Sequence, residues 1–265
     1  MKKAALNGTV LAWEEMGTGP AVVLVHGLSE TQASWQQQHG MLSQQFRVVA
    51  CDVRGFGESE TANASPRPEQ YGEDLRALLA HLSIGSAVIV GFSMGGVIAQ
   101  RFAIDHPEMA TALIIAASSS VVNRQAAEYY RERAELAETQ GLEAVRATTA
   151  NDAGACFVAS GPLVVEAYRH LRRQAVRDAR GYANACRAMA TLRERPLTQE
   201  LASIRCRALV ITGERDVLCP PKASEIIHGA MPNSRLRILR GVGHCLHWED
   251  PASFNGALID FLCSL

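Results

Sequence analysis

In the stretch VIVGFSMGGVIAQ (88–100), one hydroxyl stands where a run of β-branched residues gives way to an amphipathic pattern. Gly91-Phe92-Ser93-Met94-Gly95 puts small residues two positions either side of Ser93, as a sharp strand-to-helix turn requires. On such a turn the Ser93 Oγ would stand clear at the carboxyl end of a sheet, where open α/β sheets bind ligands. The chemistry this offers is nucleophilic attack on a carbonyl. The N–H of Met94, at the start of the following helix, would donate to the developing oxyanion. The plainer alternative is a glycine turn carrying an incidental serine.

A serine hydroxyl is a weak nucleophile at its ordinary pKa and needs a positioned base. Of the eight histidines, His39, His81, His106, His170 and His228 fall within or at the ends of expected helices and are expected at the surface. His244 follows RLRILRG (235–241) through a glycine loop, at the carboxyl end of an expected strand. His247 is its rival, and is otherwise expected to line the site mouth or cap the last helix. Asp216 follows RALVITG (207–213) and would accept from the His244 ring, fixing its tautomer. Without that partner it reads as an N-cap or turn aspartate.

These residues need strands to carry them. AVVLVH (21–26), FRVVACD (46–52), AVIVGF (87–92), ALIIAA (112–117) and RALVITG are short apolar runs, as expected of strands buried on both faces, and RLRILRG is read as a sixth strand. Helical patterns over 34–45, 69–82, 94–105, 221–230 and 251–263 alternate with them, which predicts a mostly parallel sheet with helices on both faces. Asn7-Gly8 between AAL and TVLAWEE predicts a hairpin at one edge. From Asn123 to Pro196 no strand-like run occurs, and Ala, Glu and Arg recur at helical spacing. The expected organisation is a core of residues 1–122 and 197–265 with a helical insertion at 123–196.

Composition narrows the function classes. With 48% hydrophobic residues and a net charge of −1 over 265 residues, the chain can bury a large core and projects no field to draw nucleic acid or an anionic membrane. No apolar run reaches the ~20 residues that span a bilayer. Seven cysteines without a C-x-x-C pair suggest free thiols in a reducing cytoplasm. Met1-Lys2-Lys3 leads into only three apolar residues, so no secretory signal is expected. Asn7-Gly8-Thr9 and Asn63-Ala64-Ser65 match a glycosylation pattern that chance often supplies. The histidines and cysteines show no ligand spacing, so no metal or other cofactor is expected.

Around Ser93 the sequence resembles the α/β-hydrolase fold family, and the resemblance covers nearly the whole chain. It extends to His26-Gly27-Leu28, to Asp52-Val53-Arg54-Gly55-Phe56-Gly57-Glu58-Ser59, to Gly213-Glu214-Arg215-Asp216 and to Gly241-Val242-Gly243-His244. It implies an eight-stranded-type sheet, the chain order Ser93, Asp216, His244 for nucleophile, acid and base, and a second oxyanion donor in the Leu28 N–H. By the same resemblance Asp52 is structural and the insertion is a lid that sets substrate choice. Candidates to line the pocket are His26, Phe92, Phe157, Tyr168 and His247, with Val158, Leu163, Val164 and Met189 beside them, against the alternative that the lid residues only pack onto the core. Arg169, Arg172, Arg173, Arg177 and Arg180 read as a solvated helix face, or as a stripe from which one arginine turns inward to a substrate carboxylate.

The implied activity is hydrolysis of a small or medium carboxylic ester or lactone. The tail HCLHWEDPASFNGALIDFL is similar to that of meta-cleavage C–C bond hydrolases, although those usually carry Trp where Cys245 stands. The 3-oxoadipate enol-lactonases are similar in size and lid position. A reading of another class is a ligand-binding signalling protein that retains the triad.

Overall fold

At the turn Asn7-Gly8 both residues take positive φ, 50° and 74°, as a type I′ hairpin demands. The turn joins strand β1 (Lys2–Leu6) to β2 (Thr9–Met16). The remaining strands are β3 (Ala21–Val25), β4 (Arg47–Asp52), β5 (Ala87–Phe92), β6 (Ala110–Ala116), β7 (Arg207–Gly213) and β8 (Ser234–Leu239). The computed structural model describes residues 1–62 and 67–265, and the Asn63-Ala64-Ser65 pattern lies outside them. The sheet order is β1-β2-β4-β3-β5-β6-β7-β8. β2 pairs antiparallel with β1 and β4, and all other pairs are parallel. β4 and β5 flank β3 on opposite sides, so the winding reverses there and a crevice opens at the strand ends.

The helices are α1 (Gln36–Leu42), α2 (Pro68–His81), α3 (Met94–Asp105), α4 (Arg124–Asp152), α5 (Pro162–Ala175), α6 (Ala179–Ala190), α7 (Pro221–Ala230), α8 (Leu246–Glu249) and α9 (Pro251–Leu262). Alternate strand residues serve opposite faces. Val23, Val25, Ile89 and Ile115 pack with Leu75 and Leu78 of α2 and Phe102 of α3. Val22, Leu24, Val90 and Ile114 pack with Leu42 of α1 and Phe254 and Leu258 of α9. Burial on both faces explains the apolar runs of β3 to β7, whereas β8, at the sheet edge, differs from the expectation: Arg235 and Arg237 alternate along it and most of its residues are exposed or half-exposed.

Two details depart from the sequence pattern. The helix expected over 34–45 begins as a 3-10 turn at Gln32–Trp35 and ends at Leu42. The four-residue α8 is too short for a periodic pattern to reveal it. Among the described residues no helix is long and apolar enough to cross a membrane, and all seven cysteines are free.

Helices α4 to α6 form one excursion between β6 and β7, and α4 is interrupted at Gly141 (φ 76°). The Leu197 N–H donates to Ser120 O at 2.8 Å, bringing the two ends of the excursion together. Further backbone bonds hold it to the core loops: Gly57 N to Ala175 O (2.9 Å) and Cys245 N to Cys156 O (2.9 Å). At Gly181 an added Cβ would lie 2.8 Å from the Gly55 Cα, so the two backbones meet without side chains between them.

Close approach also governs the joint between β5 and α3. A Cβ at Gly95 would lie 2.1 Å from Val25 O. In an open helical position Gly→Ala gains up to about 1 kcal/mol, but forcing bulk into packed structure costs about 1–3 kcal/mol or more. Gly95→Ala should therefore lower stability. Gly256→Ala in α9, where an added Cβ meets nothing within 4 Å, should raise it. Urea midpoints of the two variants check this; a gain in Gly95→Ala would refute the close contact.

Candidate active site

Ser93 takes φ 52° and ψ −115°. This conformation is uncommon for a residue with a side chain and costs about 1–3 kcal/mol unless its surroundings hold it. Here they do. Ser93 N donates to Ala116 O of β6 (2.9 Å), Gly96 N donates to Ser93 O (2.9 Å), and Ser118 Oγ donates to the same carbonyl (2.7 Å). A Cβ at Gly91 would lie 2.2 Å from Gly95 O, so the turn excludes bulk where the sequence has glycine.

Asp216 and His244 follow β7 and β8. A Cβ at Gly213 would lie 2.2 Å from Gly243 O, so their two loops come together backbone to backbone. The Asp216 carboxylate is held by two backbone donors, Leu218 N and Cys219 N, each 2.8 Å from Oδ1. Its Oδ2 is 2.8 Å from His244 Nδ1, and His244 Nε2 is 3.1 Å from Ser93 Oγ. The structure thus brings the three residues into one hydrogen-bonded line. Burial by itself would push the His244 pKa down, but the charge and hydrogen bond of Asp216 outweigh it and raise it above the ordinary value. The backbone N–H groups of Leu28 and Met94 donate to no other group among the described residues. Gly27 packs against Ser93: a Cβ there would lie 3.3 Å from the Ser93 Cβ.

Ser93 and His244 open into a cavity of about 370 Å³, whose wall includes Leu28, Glu30, Phe92, Tyr129, Tyr168 and Arg172. Val217 and Leu218, both exposed, form part of its rim. A larger open groove of about 650 Å³, edged by Glu143, Arg146, His170 and Arg173, is lined by neither Ser93, Asp216 nor His244.

The arginine stripe splits. Arg169, Arg173, Arg177 and Arg180 carry exposed or half-exposed side chains. Arg172 is buried on the cavity wall. Its Nε donates to Thr149 O (3.0 Å), and its Nη1 reaches Tyr168 Oη (3.4 Å) and Cys156 Sγ (3.8 Å). No hydrogen bond occupies its Nη2 among the described residues. Sequence reasoning grouped Arg172 with its neighbours and missed Glu30, whose fully buried side chain accepts from Gly27 N (3.0 Å) and Tyr168 Oη (2.5 Å). Burial, then nearby Cys245 and Glu30, push the Tyr168 phenol well above its usual pKa, so it stays a donor.

Several expected positions are corrected. His26 does not line the cavity. It turns away from the site, with Nδ1 2.7 Å from Gly27 O and Nε2 accepting from Val53 N at 2.8 Å, and so braces two loops as a neutral ring. Its burial lowers its pKa to about 4. Phe157 packs edge-on against Tyr168, ring centroids 5.2 Å apart, and is not on the cavity wall. Val158 and Leu163 are exposed and Met189 is in the core. His39, expected at the surface, is buried with Nε2 3.4 Å from Val48 O. Asp52 accepts from Gln32 N and Glu58 N, and burial raises its pKa to about 6.

His247 neither lines the mouth nor caps α9; Asp250 caps that helix. Its fully buried ring is 4.5 Å from Phe92 and 4.9 Å from Trp35, and neither nitrogen has a partner among the described residues. Also among the described residues, no three His, Cys, Asp or Glu side chains come together as metal ligands.

A family model described as the alpha/beta hydrolase fold matches residues 20–251. The chain is 32% identical to 3-oxoadipate enol-lactonase 2 of Acinetobacter baylyi over 242 residues, 90% of this chain and 87% of that one. A thermophilic esterase from Thermogutta terrifontis, solved with malate bound, superposes with a TM-score of 0.90 at 28% identity, covering 100% of this chain and 99% of that one. The enol-lactonase of Burkholderia xenovorans gives a TM-score of 0.89 at 28% identity, covering 99% and 100%.

Burial lowers the His247 pKa to about 3. An unfolded chain takes up that proton near pH 6.5, so the stability of the neutral buried ring is complete above pH 6.5 and drains away as pH falls toward 3. His247→Phe should remove roughly 1 kcal/mol per pH unit from the acid-side loss. Urea denaturation at pH 7.5 and pH 5 measures this; an unchanged difference between the two would refute the neutral ring.

Proposed function

The chain belongs to the α/β-hydrolase fold family, and on that premise we propose that it hydrolyses a carboxylic ester or lactone by acyl transfer through Ser93. The observation that carries the reading is the line Ser93 Oγ–His244 Nε2 (3.1 Å) and His244 Nδ1–Asp216 Oδ2 (2.8 Å), open to a cavity of about 370 Å³. Ser93 Oγ attacks the carbonyl carbon as its proton passes to His244 Nε2. Asp216 keeps the other ring nitrogen protonated and stabilises the imidazolium. The N–H groups of Leu28 and Met94 receive the oxyanion, each such donor contributing about 10²–10³ in rate. His244 then protonates the leaving oxygen and an acyl-enzyme forms. Water, deprotonated by His244, releases the acid and restores Ser93. In this scheme α4–α6 act as the lid over the acyl pocket.

A substrate bearing its own carboxylate fits best. Arg172 brings a buried guanidinium, whose Nη2 has no hydrogen bond among the described residues, to the wall of the cavity that holds Ser93. Two similar proteins point the same way, one named for 3-oxoadipate and one solved with malate, both dicarboxylates.

Three outcomes are expected. Ser93→Ala should abolish multiple turnover of p-nitrophenyl acetate, by about 10³-fold or more, whereas a signalling protein would show no sustained turnover even before the change. For wild type, kcat/KM should rise with pH through an ionisation above 6.5, because the base form of His244 is required and its pKa is raised. Asp216→Asn should bring that ionisation down and lower kcat by about 10⁴-fold; a profile unmoved by the change would exclude His244 as the base. Arg172→Gln should raise KM for a carboxylated ester or enol-lactone about tenfold or more, with a much smaller effect on p-nitrophenyl acetate. Equal effects on both substrates would remove Arg172 from recognition.

A further inference from the structure

Glu30 is a buried carboxyl on the cavity wall for which the proposed reaction has no use. Its two oxygens face different parts of the molecule. Oε2 accepts from Gly27 N, three residues back in its own loop, at 3.0 Å. Oε1 accepts from the hydroxyl of Tyr168, on α5 of the excursion, at 2.5 Å. That hydroxyl is in turn 3.4 Å from Arg172 Nη1.

The first bond closes residues 27–30 on themselves around Ser29, which takes positive φ (61°). The Gly27 N–H is thereby consumed, and in this loop the next amide, Leu28 N–H, is left without a partner among the described residues. A loop whose free amide is defined by its neighbour's hydrogen bond depends on the acceptor staying in place. Glu30 has one freely rotating side chain, and Tyr168 is the group that fixes it from outside the loop. Tyr168 is itself immobilised, fully buried against Phe157 and Trp248 with ring centroids 5.2 and 5.4 Å away.

We infer that Glu30 is a positioning residue that makes the oxyanion-binding conformation of the 27–30 loop conditional on the seating of α5, with Tyr168 as the contact that transmits it. This rests on the reading of Leu28 N–H as an oxyanion donor. Seating α5 orders Glu30, Glu30 holds Gly27 N–H, and Leu28 N–H is presented to the carbonyl bound at Ser93. The same helix carries Arg172, so a substrate held by that guanidinium would stabilise the seated helix and the oxyanion loop together.

The test compares Tyr168→Phe, Glu30→Ala and Glu30→Gln in the full chain, with two readouts. The first is amide hydrogen exchange at residues 27–31, which needs no catalysis. Tyr168→Phe removes one oxygen and should speed that exchange about tenfold or more, with β5 unaffected. The second is steady-state hydrolysis of p-nitrophenyl acetate. Tyr168→Phe and Glu30→Ala should each lower kcat about tenfold with KM within about twofold, because a misplaced oxyanion donor weakens transition-state binding alone. Glu30→Gln should stay within about threefold of wild type, since an amide oxygen still accepts from Gly27 N–H. Unchanged exchange in Tyr168→Phe overturns the coupling. So does Glu30→Gln losing as much as Glu30→Ala, which would mean the charge matters rather than the placement. A raised KM at constant kcat would make Glu30 a substrate contact instead. Ser93→Ala, run alongside, separates the two ideas: if wild-type turnover does not depend on Ser93, the hydrolase reading falls and the exchange data alone decide the coupling.

Discussion

The backbone of Ser93, held at φ 52° and ψ −115°, is the constraint around which the rest of the molecule is arranged. Left free, a residue with a Cβ would leave that region for a gain of about 1–3 kcal/mol. It stays because β6 supplies an acceptor to its N–H, because Ser118 and Gly96 hold its carbonyl, and because Gly91, Gly95 and Gly27 leave no side chain in the way. Those supports in turn require β3, β5 and β6 to be adjacent and parallel, with α3 starting directly at the strand end. The sheet order and the glycines together keep one strained residue where its hydroxyl faces the cavity.

The three histidines near this point make an instructive contrast. His26, His247 and His244 are all buried, and burial disfavours the imidazolium in each. His26 is matched to a backbone carbonyl and a backbone N–H, and His247 to aromatic rings; both are held neutral. Of the three, only His244 faces a carboxylate at hydrogen-bond distance, and Asp216, with smaller help from Cys156 and Glu30, outweighs its burial and raises its pKa. Asp216 can play this part because Leu218 N–H and Cys219 N–H fix its other oxygen, so the charge cannot turn away. Arg172 and Glu30 add a guanidinium and a carboxyl to the same cavity wall, joined through Tyr168.

What could be read from the sequence follows from how local each feature is. The Ser93 turn was legible because its requirements, a strand, two small residues and a helix, all fall within a dozen positions. Asp216 and His244 were legible because each closely follows a strand-like run ending in glycine. Arg172 was visible only as a member of a stripe: which arginine of α5 faces inward depends on how that helix packs on α4, where Arg172 reaches Thr149 O, rather than on spacing. Glu30 carries no local signal, since its partners are one neighbouring amide and a hydroxyl far along the chain. The burial of His39 and His247 escaped for a similar reason. A histidine in a short helix is exposed or buried according to what covers it, and Val48, Trp35 and Phe92 lie in other elements.

The bond between Leu197 N–H and Ser120 O makes α4–α6 a side branch that leaves the sheet and returns to it at one point. β6 and β7 pair directly in the sheet, so the strands beside Ser93 and before Asp216 are neighbours whatever the length of the chain between them. That segment is therefore an exchangeable cassette. Mutation or recombination within it can reshape the cavity wall while β6 and β7 stay paired, provided the contacts that Cys156, Tyr168 and Ala175 make with the core loops are kept. A chimaera joined at positions 120 and 197 respects the seam the molecule already has.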